Sequence, residues 1–65
     1  MVLIINGERR ETEARQIAAL LAELEVTGTQ LAIAVNRGVV PRRRWSEIEL
    51  RDGDAIEIIS PRQGG

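Results

Sequence analysis

Cysteine, histidine, lysine, tyrosine and phenylalanine are all absent from this 65-residue chain, and each absence removes a class of chemistry. With no thiol, imidazole or amine side chain, covalent catalysis and proton shuttling through those groups are excluded. No disulfide can form, so nothing in the chain requires an oxidising compartment, and no Cys or His is present to ligate zinc or an iron–sulfur cluster. Long apolar runs are missing too: none approaches the roughly 20 residues that a membrane helix needs. No basic segment followed by an apolar stretch opens the chain as a secretory signal would. These absences predict a cytoplasmic chain with no membrane partner and no bound cofactor or metal.

What is present is a dense aliphatic inventory, in which Ile, Leu and Val together number 19. A chain this short buries only about 60% of its extended surface on folding. It needs that density to offset an ordering entropy of roughly 1.5 kcal/mol per residue. Length and composition predict one small domain over residues 1–65, without internal repeat or separate linker. All nine cations are Arg. A guanidinium fork grips phosphate oxygens bidentately, but nine Arg against ten Asp and Glu leave a net charge of −1. That balance is not the electrostatic footprint of a nucleic-acid binder, and no nucleic-acid partner is expected. Arg in place of Lys is also what GC-rich coding produces.

Val2–Ile5 is a short β-branched-rich run that ends at Asn6-Gly7, the dipeptide best able to hold two consecutive positive φ angles in a type I′ turn. Glu8–Glu13 is then the returning strand, and its charge suits a sheet edge, which makes Val2–Ile5 the more central of the two. From Ala14 to Leu24 the period changes. Ile17, Leu20, Leu21 and Leu24 fall at i, i+3, i+4 and i+7, one helical stripe, ended by Val26-Thr27-Gly28. Leu31–Val35 is apolar at all five positions; a buried helical turn shares that pattern, but the length is that of a strand covered on both faces.

Asn36-Arg37-Gly38 is a tight turn into Val39-Val40, which Pro41 stops because it has no N–H for the ladder. Arg42 to Ile48 is a connector with a short helical turn, letting Trp45 and Ile48 reach the core together. Asp52-Gly53-Asp54 turns the chain into Ala55–Ile59, a strand with Ile56 and Ile58 on one face and Pro61 at its end. Residues 61–65 carry no apolar anchor and are expected to form a flexible tail. The order β, β, α, β, short β, β predicts an α+β fold: a mixed sheet of four to five strands packed on one main helix. The last strand lies parallel to the first at the centre.

Few residues here can carry chemistry. Asp52 and Asp54 could face a hard cation, but Asp-Gly-Asp before a strand is ordinary turn chemistry and no further acid sits at EF-hand spacing. Arg42-Arg43-Arg44 beside Trp45 is the sharpest charge cluster, most simply a solvated face above a partly buried Trp. Docking of a partner through Arg42 and Trp45 is the functional alternative. The remaining reactive group is the carboxylate of Gly65, on a tail that reaches on the order of 17 Å. Gly64 and Gly65 have no Cβ, so they can thread a narrow channel and bring that carboxylate to a nucleotide phosphate. A Gly-Gly end by itself is equally what a frayed end looks like.

Ile5-Asn6-Gly7, the stretch from Ile33-Ala34-Val35-Asn36 to Val39-Val40-Pro41-Arg42, Trp45, Asp52-Gly53-Asp54 with Ile56-Glu57-Ile58, and the final Gly64-Gly65 together resemble the ThiS family of thiamine-biosynthesis sulfur carriers. The resemblance covers nearly the whole chain. Its most specific parts are Val40-Pro41-Arg42 with Trp45, and the Asp52-Gly53-Asp54 turn. It implies a β-grasp, ubiquitin-like fold and a non-catalytic role as a protein cosubstrate. In that role an E1-like enzyme, ThiF, uses ATP to adenylate Gly65. Sulfur from an external donor replaces AMP, and the thiocarboxylate passes its sulfur to thiazole synthase, ThiG.

The absence of Cys agrees with a carrier whose sulfur comes from outside. Many family members have apolar residues just before the glycines, whereas this chain has Ser60-Pro61-Arg62-Gln63. There Pro61 would stiffen the tail base and Arg62 would pair with an acid on the activating enzyme. Carriers for molybdopterin synthesis, tRNA thiolation and cysteine synthesis share the fold and tail, as do ubiquitin-like modifiers that join their terminus to a lysine. The missing Lys deprives an activated end of any side-chain amine on its own chain.

Overall fold

The computed structural model describes residues 1–28 and 30–60. In chain order the elements are β1 (Val2–Ile5), β2 (Glu8–Glu11), α1 (Ile17–Leu24), β3 (Ala32–Val35), β4 (Gly38–Val40), a 3-10 turn at Arg42–Arg44, and β5 (Ala55–Ile59). The five strands form one sheet in the order β2-β1-β5-β3-β4. β5 is the middle strand, parallel to β1 through Ile4–Ala55 and Ile5–Ile56 and antiparallel to β3 through four pairs from Ala32–Ile59 to Val35–Ile56. The expected mixed sheet, helix and central parallel pair are all there.

Both hairpins close through two residues at positive φ, Asn6 (51°) with Gly7 (86°) and Asn36 (50°) with Arg37 (74°). This is the type I′ geometry whose twist matches that of the strands. Side chains alternate across a strand, so Leu3, Ile33, Val40 and Ile56 share the face turned toward α1, where they pack with Ile17, Leu20 and Leu21. Trp45 and Leu50 close the same core, with Ile48 packed against it.

Two boundaries around the helix start differ from the sequence expectation. The helix begins at Ile17 rather than Ala14, and the strand before it ends at Glu11 rather than Glu13. Thr12 and Ala14 are buried alternately with exposed neighbours, so the connecting chain is extended up to Gln16, whose φ is −135° and ψ 158°. Gln16 supplies no side-chain cap; instead Ala18 N–H donates to the Trp45 carbonyl at 3.2 Å. Tertiary contact thus satisfies an orphan donor that a local cap usually takes.

At its other end the helix stops after Leu24, as expected, but the residue that ends it is Glu25, at φ 59°, rather than the Val26-Thr27-Gly28 segment. Glu25 N–H donates to the Ala22 carbonyl and Val26 N–H to the Leu21 carbonyl, a Schellman closure built on a non-glycine residue. Finally, β3 is not covered on both faces throughout: Ala34 is buried, but Ala32 is exposed.

Candidate functional site

β5 carries the chain to its last residues, and its two ends are fixed by turn chemistry. At the start, Gly53 takes φ 89°, which glycine adopts without a Cβ penalty. Both flanking carboxylates are spent on the fold. Val2 N–H donates to Asp52 Oδ1 at 2.6 Å and Arg51 N–H to Asp54 Oδ2 at 2.9 Å. Asp52 and Asp54 therefore act as turn residues. Among the described residues no group of three or more His, Cys, Asp or Glu is placed to hold a metal ion.

The two hairpin asparagines also grip β5. Asn36 Oδ1 accepts the Ala55 N–H at 3.0 Å, while its Nδ2 donates to Asp54 Oδ1 at 3.0 Å. Asn6 Oδ1 accepts the Ile58 N–H at 2.9 Å, and its Nδ2 lies 3.4 Å from the Ile58 carbonyl. The sequence marks both residues as turn formers; their second role depends on where β5 docks, which no local pattern encodes.

Trp45 is 6% exposed and belongs to the core. Its Nε1–H donates to the Val40 carbonyl at 2.9 Å, satisfying the indole's polar atom as a buried Trp requires. Arg42 lies over the ring, 4.5 Å from the guanidinium carbon to the centroid, and donates to the Gly28 carbonyl at 2.8 Å. Trp45 therefore supports Arg42 from beneath, and Arg42 ties the helix-to-β3 connection to the segment after β4. Arg43 and Arg44 are exposed.

The sheet face turned away from α1 is open. Register places Val39 beside Ala34, Glu57 on the other side of Ala34, and Ile59 beside Ala32. Val39 is 78% and Ile59 57% exposed, the large apolar side chains most open to water among the described residues. Ile59 is at the end of β5 itself, and Val39 lies on β4, on the far side of β3.

On the opposite side, buried Thr12 donates its hydroxyl to Glu23 Oε1 at 2.6 Å, and Arg10 bonds Glu23 Oε2 at 3.2 Å. The Thr12 bond is the main cause that holds the Glu23 carboxyl below its ordinary range; partial burial opposes it, and Arg10 reinforces it. This network joins β2 to α1 and does not touch the end of β5. Of the residues singled out from sequence, Arg62, Gly64 and Gly65 lie outside the described residues, as does the expected flexible tail at 61–65. No helix among the described residues is long and apolar enough to cross a membrane.

The family model of the ThiS family matches residues 3–65. The chain is 30% identical over 66 residues to sulfur carrier protein ThiS of Escherichia coli, with all of both chains covered. It is 31% identical over 61 residues to sulfur carrier protein ThiS of Thermus thermophilus, covering 94% of this chain and 95% of that one. It is also 38% identical over 66 residues to a thiazole synthase of Paramagnetospirillum magneticum, but there the chain spans only 20% of the relative's length. The crystal structure of a thiamine biosynthesis protein (ThiS) from Geobacter metallireducens superposes with a TM-score of 0.84 at 26% identity, with both chains fully covered. An NMR structure of a thiamine biosynthesis protein from the same organism gives 0.81 at 26% identity, covering 88% of that chain.

Proposed function

This chain belongs to the ThiS family, and from that premise we propose that it is a sulfur carrier for thiazole formation in thiamine biosynthesis, a substrate of other enzymes rather than a catalyst. The observation that carries the proposal is that the family match runs to Gly65 in a chain without Cys, His or Lys. Such a chain has no side-chain thiol on which to hold sulfur, and the family assignment points to the acyl group of Gly65 as the place for it.

A carboxylate is a poor acyl donor. Attack of a Gly65 oxygen on the α-phosphorus of ATP, in an E1-like enzyme, releases pyrophosphate and leaves an acyl adenylate. Hydrosulfide from an external donor then forms a C–S bond as the C–O bond to AMP breaks, AMP leaves, the S–H proton goes to solvent, and the product is a thiocarboxylate. Gly64 and Gly65 suit this because a chain without Cβ atoms passes a narrow channel. A relative named thiazole synthase that contains a region matching this whole chain supports thiazole synthase as the sulfur acceptor. The cycle is assigned to the cytoplasm, where ATP drives it.

For docking, the open sheet face offers Val39 and Ile59 as apolar contacts. Arg62 and the outward edge of Arg42, backed by Trp45, offer charge to an acidic surface on the activating enzyme. The test is pyrophosphate exchange into ATP by the cognate activating enzyme, followed by intact mass after addition of a sulfur donor. The full chain should support exchange and gain about 16 Da as sulfur replaces oxygen, and deletion of Gly65 should abolish both. Exchange that persists without Gly65 would overturn the proposal, and an isopeptide adduct on target lysines in place of the mass gain would make the chain a modifier.

A further inference from the structure

The parallel pairing of β1 with β5 lasts for only two residue pairs, Ile4–Ala55 and Ile5–Ile56, before β1 turns away. The last main-chain bond between them runs from Asn6 N–H to the Ile56 carbonyl at 2.9 Å. β5 continues to Ile59, so the next donor on that edge, the Ile58 N–H, has no main-chain partner left in β1. The Asn6 carboxamide takes its place. Oδ1 accepts that N–H at 2.9 Å, and Nδ2 faces the Ile58 carbonyl at 3.4 Å, so one side chain presents both polar groups of a missing strand residue. On its other edge the end of β5 is already held by β3, through Ile33–Ile58 and Ala32–Ile59.

We propose that Asn6 is a positioning residue for the reacting end of the chain: its grip on Ile58 fixes the direction in which the main chain leaves the sheet toward Gly65. This rests on the carrier assignment above. A terminal segment can extend about 3.3–3.6 Å per residue, so a small angular freedom at its base becomes a large volume at its tip. Confining the base raises the effective concentration of the tip at a site the domain has docked against, without any new contact.

The fold supplies its own control. Asn36 has the same place in the same kind of turn, with φ 50° against 51° for Asn6, and its carboxamide also makes two bonds, accepting the main-chain N–H of Ala55 and donating to the Asp54 carboxylate just before β5, at the end away from the exit. Asn6→Gly and Asn36→Gly each delete the carboxamide while keeping a residue that tolerates positive φ. Each variant removes two side-chain bonds and should lose stability; only Asn6→Gly removes the grip beside the exit.

The experiment compares the full-length parent, N6G and N36G as substrates of the cognate activating enzyme, together with amide hydrogen exchange at Ile58. N6G should lower kcat/KM for the carrier by about threefold to tenfold, the size expected from one lost hydrogen bond, leave the KM for ATP unchanged, and speed exchange at Ile58. N36G should keep the parent kcat/KM despite its own fall in melting temperature. Equal kcat/KM for the two variants overturns the positioning role, and so does an Ile58 amide that exchanges no faster in N6G than in the parent. A parent chain that the enzyme does not adenylate at all overturns the carrier assignment itself, and the positioning role with it.

Discussion

The two hairpins share a turn and differ in nearly everything their strands carry. Each closes through two residues at positive φ beginning with an asparagine. In the first, the outer strand reads Glu-Arg-Arg-Glu and is exposed at every position. In the second, the outer strand reads Gly-Val-Val, with Val40 in the core and Val39 open to water. Charge on an edge strand discourages further pairing, whereas exposed apolar surface invites a partner. One turn chemistry therefore frames a sheet with a charged edge at β2 and a more apolar edge at β4, beside β3.

The second hairpin leans on the segment that follows it, through Trp45 and its bond to the Val40 carbonyl. Trp45→Ala should be the most damaging change, costing about 3–5 kcal/mol for the cavity and the lost packing. Arg9→Ala on the first hairpin should stay within about 0.5 kcal/mol. Urea melts of the two variants check this, and a Trp45→Ala loss as small as that of Arg9→Ala would show that the second hairpin stands unaided.

Smaller and opposite effects should come from the second residue of each turn. Arg37 sits at φ 74°, a left-handed conformation that costs an L-residue roughly 1–2 kcal/mol, so Arg37→Gly should stabilise. Gly7, at φ 86°, has open space where a Cβ would stand, so Gly7→Ala should destabilise through the backbone alone. Each change should amount to about 1 kcal/mol, or roughly 4–8 °C in melting temperature for a domain of this size. Shifts of the same sign in both turns would contradict their shared geometry.

The smallest effect is acid sensitivity confined to the first hairpin's tie to α1. The Glu23 carboxyl titrates below its ordinary value, chiefly because Thr12 donates to it. The unfolded chain therefore binds the Glu23 proton more readily than the folded one. The stabilisation is complete above the unfolded value of about 4.3 and is lost as pH falls from there through the lower folded value. Melting temperatures from neutral to acid pH should fall more steeply in the parent than in Glu23→Gln, and parallel curves would leave the Thr12 bond without the assigned role.

Much of the fold was legible because it rests on patterns a few residues long. Asn6-Gly7 announces its turn, Ile17, Leu20, Leu21 and Leu24 announce a helix by spacing, and Ile56 and Ile58 announce a strand by alternation. The late start of α1 was not legible, because its cap is the Trp45 carbonyl, distant in sequence. Its end after Leu24 was legible, but not the residue that closes it, since no preference marks Glu25 for a left-handed φ. At the site, Asp52 and Asp54 were recognisable as turn residues, while the grip of Asn6 and Asn36 on β5 depends on which strand occupies the centre of the sheet.

By itself the sequence determined which side-chain chemistry is closed to this protein, that of thiol, imidazole and amine. It also determined the order and type of the elements, because periodicity and turn propensity act over neighbouring residues. Only the tertiary structure decided that Trp45 serves as a floor for Arg42 rather than an exposed anchor, that Val39 and Ile59 are left open to water, and that two turn asparagines hold the last strand. Those outcomes depend on contacts between segments tens of residues apart, whose partners are chosen by the packing of the whole sheet against its helix.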